Sequence, residues 1–133
     1  MAARIDPADP SADVLTFLRE RHLATLTALR PDGTPHVTPI GFSYDPATRT
    51  ARVITWTGSV KAKLLAAAPG SRVAVCQVDG GRWLTLEGTA TLRTDPDANA
   101  EGVRRYTERY REPADRADRA TIEIAVDRIM GRA

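Results

Sequence analysis

The sequence predicts a mainly β protein of the α+β class, a six-stranded antiparallel barrel with about three short helices. Three observations predict it. Six short segments carry strand-like apolar runs, most alternating apolar and polar residues with period two, as half-buried antiparallel strands do. Turn signals separate them at hairpin distances, namely Arg30-Pro31-Asp32-Gly33, Asp45-Pro46-Ala47-Thr48 and Gly80-Gly81. Helical patterns are few and short, and they do not recur between strands as a doubly wound sheet requires. No internal repeat or low-complexity segment interrupts the reading.

Taken in order, Met1 to Pro10 is polar with two prolines and is expected to be a flexible lead-in, with one domain over residues 11–133. Ser11 can cap a helix reaching about Arg21, with Val14, Leu15 and Leu18 on its apolar face. Leu23 to Leu29 reads as the first strand, because the turn at Arg30–Gly33 follows it directly. Pro35 to Tyr44 is the second strand. Pro39 lacks an amide for a ladder, which places this strand at an edge or at a bulge. Gly41 permits close approach of another backbone or a flat ligand. Thr50 to Trp56 is the third strand. Thr57-Gly58 breaks it, and a helix opens at Ser59 and stops at Pro69-Gly70. Arg72 to Asp79, apolar on both faces, is expected to be covered on both sides. Arg82 to Arg93 alternates, with Leu84, Leu86, Gly88, Ala90 and Leu92 on one face and Trp83, Thr85, Glu87 and Thr89 on the other. Asp95 to Tyr110 is helical, with Val103, Tyr106 and Tyr110 in phase. A charged loop runs to Arg119, and Ala120 to Met130 is the last strand.

The bulk numbers bound the function. A chain of 133 residues, 42% hydrophobic and 27% charged, has room for one sizeable core. A net charge of +2 argues for neither nucleic acid nor an anionic membrane as partner. Cys76 is the only cysteine, which leaves no internal disulfide or zinc cluster; it is expected to be a small buried hydrophobe. No run reaches the ~18 apolar residues of a membrane helix, and no signal h-region opens the chain, so a cytoplasmic protein is expected.

Chemistry concentrates where the third strand becomes a helix. Amides and the helix dipole converge at Ser59 and favour an anion. Lys61 and Lys63 are the only lysines of the chain, and both lie here. They cannot share one helix face, and Lys61, in the first turn, is the better anion ligand. Thr57, Gly58, Ser59 and Lys61 thus form a candidate phosphate site, against the plainer reading of a capped helix with solvated lysines. Thr38, Pro39 and Ile40 form a candidate flat-ring site, because a proline-interrupted strand leaves peptide groups for a heteroaromatic edge. Neither His22 nor His36 has partners at metal spacing, and His36 has no serine and acid for a triad. Arg104, Arg105, Arg109 and Arg111 read mostly as a solvated helix face, with some free for a carboxylated ligand. Trp83, with Glu87, reads as a dimer contact, lid or ligand wall.

Three segments together resemble the flavin-binding split barrel of the pyridoxamine 5′-phosphate oxidase-like superfamily: Pro35-His36-Val37-Thr38-Pro39-Ile40-Gly41-Phe42, Thr55-Trp56-Thr57-Gly58-Ser59-Val60-Lys61-Ala62 and Gly81-Arg82-Trp83-Leu84-Thr85-Leu86-Glu87-Gly88. Phe17–Ala24, Arg52–Thr55, Arg82–Gly88 and Arg128–Gly131 carry a closer similarity to the deazaflavin-dependent biliverdin reductases that use coenzyme F420. The resemblance implies a homodimer with cofactor sites at the subunit interface. It implies that His36 and Thr38 to Ile40 lie at the ring edge, and that Thr55, Trp56, Thr57, Gly58, Ser59, Lys61 and Lys63 surround the side chain and phosphate. Gln77, Val78, Arg82 and Trp83 are implied near the site, reaching it from the other subunit. No catalytic side chain is implied, since the cofactor moves a hydride and the protein positions donor and acceptor. Val60 stands where the oxidases usually carry arginine, and the chain ends at Ala133 without their C-terminal segment; both argue against pyridoxamine phosphate oxidation. The readings this leaves are an F420-dependent reductase acting on a tetrapyrrole such as biliverdin, an FMN-dependent oxidoreductase, and a non-catalytic carrier.

Overall fold

Alternation along the strands becomes one antiparallel eight-stranded sheet in the computed structural model of the chain, which describes residues 3–133. The elements are β1 (Ala3–Ile5), α1 (Ala12–Arg19), β2 (Ala24–Leu29), β3 (Pro35–Ile40), β4 (Ser43–Asp45), β5 (Thr50–Trp56), α2 (Val60–Ala67), β6 (Ser71–Asp79), β7 (Arg82–Arg93), α3 (Pro96–Arg109) and β8 (Arg119–Arg132). The sheet runs β3-β2-β6-β7-β8-β5-β4, and β1 adds to β8. Its two end strands, β3 and β4, are consecutive in the chain and only Gly41-Phe42 separates them. A sheet whose ends are joined so closely must curl onto itself, so the fold is a split barrel.

Two differences from the sequence expectation account for eight strands rather than six. The segment Pro35 to Tyr44 does not run straight through. It leaves β2 after Ile40 and joins β5 from Ser43, so one expected strand becomes two. The expected loose lead-in carries β1, whose Ala3, Arg4 and Ile5 pair with Gly131, Met130 and Ile129; Met1 and Ala2 lie outside the described residues.

Inward residues of the strands form the core, including Leu26, Val53, Val75, Leu84, Leu86, Ile122, Ile124 and Ile129, and Phe17 of α1 and Leu65 of α2 plug its ends. The three helices start where expected, on side-chain caps from Ser11, Ser59 and Asp95. The β7–β8 ladder slips register at Glu87/Gly88, and a Cβ on Gly88 would sit 2.1 Å from the Ala125 carbonyl oxygen. The β6 face expected to be covered on both sides is covered on one. Val73, Val75 and Gln77 are buried; Cys76 is half-buried and Val78 is exposed on the outer face.

The largest departure is Arg109. It was expected on a solvated helix face, yet it is buried, whereas Val103, Tyr106 and Tyr110 are half-buried. Its Nη1 donates to the Phe42 carbonyl at 2.7 Å, its Nη2 to Gln77 Oε1 at 2.6 Å and its Nε to the Glu20 carbonyl at 2.9 Å. Gln77 Nε2 donates in turn to the Phe17 carbonyl at 2.9 Å. A guanidinium can make this three-way fork, and here it ties α1, β6 and α3 to the joint between β3 and β4. Burial pushes the pKa of Arg109 down from its usual value.

Candidate functional site

The break after β5 is built by two hydroxyls. Thr55 Oγ1 and Ser59 Oγ lie 2.8 Å apart and both residues are buried. Ser59 Oγ also accepts from the Ala62 amide at 3.2 Å, closing the first turn of α2. Both hydroxyls therefore brace the turn, Ser59 as the cap its place before the helix suggests. What the turn presents is backbone: among the described residues, the amides of Gly58, Val60 and Lys61 meet no protein acceptor. The Thr57 amide donates to the Asp118 carbonyl at 2.9 Å, which holds the charged loop before β8 against the turn.

Lys61 completes this site. It is half-buried, with Nζ 5.4 Å from the Trp56 ring centroid, and no carboxylate lies within ion-pair reach among the described residues. Burial lowers its pKa below the ordinary lysine value, the mark of a cation with part of its hydration removed. An anion brought here would meet a charge that water only partly screens.

Lys61 and Thr55, which flank the turn, form one wall of a cavity of about 660 Å³. Pro39, Ile40 and Gly41 from the β3–β4 joint form another, Ile54 and Trp56 lie along it, and Tyr106 of α3 closes one side. The fourth side is the charged loop. Arg116 sits 4.7 Å from the Trp56 ring centroid and pairs with Asp118 at 3.0 Å. Arg119 anchors the loop through the Ala114 carbonyl at 2.8 Å. A cavity with a flat apolar wall, open amides and an unpaired cation suits a planar ligand with an acidic end. Among the described residues no group of three or more His, Cys, Asp or Glu side chains is placed to hold a metal, and no helix is long and apolar enough to cross a membrane.

Of the two sites read from sequence, Pro39 and Ile40 of one and Lys61 of the other line this cavity, with Thr55 and Trp56, which the resemblance implied. Thr57, Gly58 and Ser59 form the turn between those walls. His36 and Thr38 are just outside. Register pairs them with Ala28 and Leu26, both buried, so they face inward with Ile40. Their Nε2 and Oγ1 atoms are shielded from solvent and have no hydrogen-bond partner in the chain. Such atoms are costly unless something satisfies them, which marks this edge of β3 as a place awaiting a polar group.

The remaining expectations lie elsewhere in the single chain. Lys63 is exposed and turned from the cavity. Gln77 is sealed in the core by Arg109 and the Phe17 carbonyl, and it touches no cavity. Arg82 pairs with Glu20 at 3.1 Å and Asp79 at 2.7 Å, and it lies over the Phe17 ring. Val78 and Trp83 face each other across the β6–β7 ladder on its outer side. Sequence reasoning missed Tyr106, Arg116 and Arg119 in the cavity wall. The signal for the arginines was the pairing of Trp56 with Arg119 across β5 and β8, which only a known register exposes.

Residues 11–132 match the family model described as pyridoxamine 5′-phosphate oxidase. The chain is 48% identical over 123 residues to an F420H(2)-dependent biliverdin reductase of Mycobacterium tuberculosis, covering 92% of this chain and 88% of that protein. A solved F420 reductase superposes with a TM-score of 0.68 at 28% identity, over 86% of this chain and 93% of its own. A conserved hypothetical protein from Mycobacterium tuberculosis shares the fold with a TM-score of 0.74 at 24% identity, over 91% of this chain and 82% of its own. With nearly its whole length matched, the chain belongs to the pyridoxamine 5′-phosphate oxidase family.

Proposed function

We propose that this protein is a coenzyme F420-dependent reductase that passes a hydride to biliverdin, forming bilirubin. The relative at 48% identity is an F420H(2)-dependent biliverdin reductase, which favours the deazaflavin over FMN. One observation in the structure carries the reading: Lys61, half-buried and unpaired, lines the cavity that Pro39 and Ile40 wall, next to the turn whose amides are free.

The residues present fit the cofactor. Lys61 and the amides of Gly58, Val60 and Lys61 would hold its phosphate. The edge of β3 from Thr38 to Ile40 would hold its ring, and Trp56 would flank its side chain. When bound and reduced, the deazaflavin supplies the hydride. The chain's own work is to bind, orient and exclude water. Ile40 and Ile54 supply apolar wall, and Tyr106 limits the width of the opening.

A second copy of the chain completes the site in this reading. Leu29, Val37 and Val78 are more than half exposed on β2, β3 and β6, an apolar outer surface suited to self-association. Val78, Arg82 and Trp83 would then approach the partner's cavity.

The test is a titration of the purified protein with F420 and with FMN, followed by biliverdin added to the reduced complex. Tighter binding of F420 and bleaching of the biliverdin absorbance are expected. Preference for FMN would overturn the cofactor assignment. Tight F420 binding without turnover would favour a carrier.

A further inference from the structure

Tyr106 has empty space on two sides. One is the cavity just described. The other is a second cavity of about 360 Å³, lined by Arg21, Leu23, Tyr106, Tyr110 and Arg111. The tyrosine rings form its aromatic part, with centroids 4.8 Å apart and planes inclined by 33°. Tyr110 is locked in place: its hydroxyl donates to the His22 carbonyl at 2.6 Å and accepts from the Phe42 amide at 3.2 Å. Gly41 lets both rings approach, since a Cβ there would lie 3.0 Å from each. Leu23 adds apolar surface, being 66% exposed.

The cations of this cavity are unused. Arg21 and Arg111 make no hydrogen bond and no ion pair among the described residues. Their neighbours differ: Arg82, Arg104, Arg105 and Arg116 are all paired with carboxylates. Two unpaired guanidiniums beside a rigid aromatic pair suit a flat conjugated molecule bearing two carboxylates. One ring can stack on its plane with the other at its edge, and each guanidinium can take one carboxylate in a two-point contact.

We propose that this second cavity is the acceptor's subsite. A planar, conjugated dicarboxylate of the linear tetrapyrrole class lies against Tyr106 and Tyr110, and Arg21 and Arg111 bind its two carboxylates. The proposal deepens the reductase reading and rests on it. Tyr106 belongs to both cavities, so an acceptor held this way lies next to the cofactor's cavity. The glutamate tail of F420 carries the same carboxylate chemistry, so the experiment separates the two sources.

The experiment measures binding of biliverdin and its dimethyl ester to cofactor-free protein through the tetrapyrrole absorbance, in wild type, Arg21→Ala, Arg111→Ala and the double variant, with Arg4→Ala as the control for net charge. Each single replacement is expected to raise the Kd for biliverdin about five- to tenfold, with the ester and the control unmoved. Unchanged biliverdin binding in the double variant, equal loss for acid and ester, or no binding by wild type overturns the subsite. So does weakened binding of tail-bearing F420 relative to the tailless deazaflavin while biliverdin is unmoved, which would give the cavity to the cofactor tail. Arginine-dependent biliverdin binding without reduction by reduced F420 would keep the subsite and remove the reductase.

Discussion

Replacing Lys61 by alanine tests the centre of the reading, and its size follows from the site. The ammonium is half-buried and lacks an acidic partner, so its contact with a bound phosphate is charge-assisted and weakly screened. Such a contact contributes roughly 1.5–3 kcal/mol. The Kd for F420 should therefore rise roughly 10- to 150-fold. The fold should hardly notice. The change removes a cation–π contact with Trp56 worth about 0.5–1 kcal/mol and also removes a partly desolvated charge, terms of opposite sign. The melting temperature should move by no more than a few degrees. Trp56 lines the cavity and is one of only two tryptophans, so quenching of tryptophan fluorescence reports the titration. Lys61→Met keeps the length of the stem without the charge and should bind as weakly as Lys61→Ala. A Kd for Lys61→Ala within about twofold of wild type, or a methionine variant that binds normally, would refute the reasoning.

Other substitutions probe the frame. Arg109→Met strands three acceptors in the core and should cost about 3–5 kcal/mol in urea unfolding, and Arg109→Lys should rescue little because an ammonium cannot span the fork. In Gly102→Ala the new methyl would lie 2.8 Å from Thr121 Oγ1 and 3.0 Å from Ile54 Cγ2. It pushes α3 off the sheet, and a thermal melt should show a loss of about 1–3 kcal/mol. Glu101 is held down to about 2 by hydrogen bonds from Arg104 and Arg105, against 4.5 in the unfolded chain. A carboxylate with a depressed folded pKa stabilises the fold above its unfolded value, and that contribution disappears as pH falls from about 4.5 toward about 2. Glu101 is partly exposed, so screening keeps the effect below about 1 kcal/mol; urea midpoints compared between neutral and acidic buffer should show it, and Glu101→Gln should flatten it.

How much of this was readable depends on the range of each interaction. Period-two alternation and local turn chemistry placed β5 and β7 at their observed bounds, the caps Ser11 and Ser59 announced two helices, and the phase of Val103, Tyr106 and Tyr110 announced the third. Alternation could not show the break at Gly41-Phe42, because the pattern runs through it; the break exists because β4 pairs with β5 rather than β2. The polar segment of β1 has no apolar signature, and only its pairing with β8 makes it a strand. Arg109 looks solvated from its helix alone, and its burial arises where α3 crosses the joint. In the site, strand-end chemistry found Lys61 and the proline-broken edge, but the hydroxyls of Thr55 and Ser59 read equally well as ligands or as braces.

The place of β8 governs how the barrel can form during synthesis. The last strand of the barrel to be synthesised lies inside the sheet, with β7 along one side and β5 then β1 along the other. Until it emerges, both of those neighbours present raw hydrogen-bonding edges and a half-covered apolar face. Closure of the barrel therefore waits for β8, and the nascent polypeptide without it, rather than the finished protein, is the species most exposed to aggregation and most in need of chaperone cover.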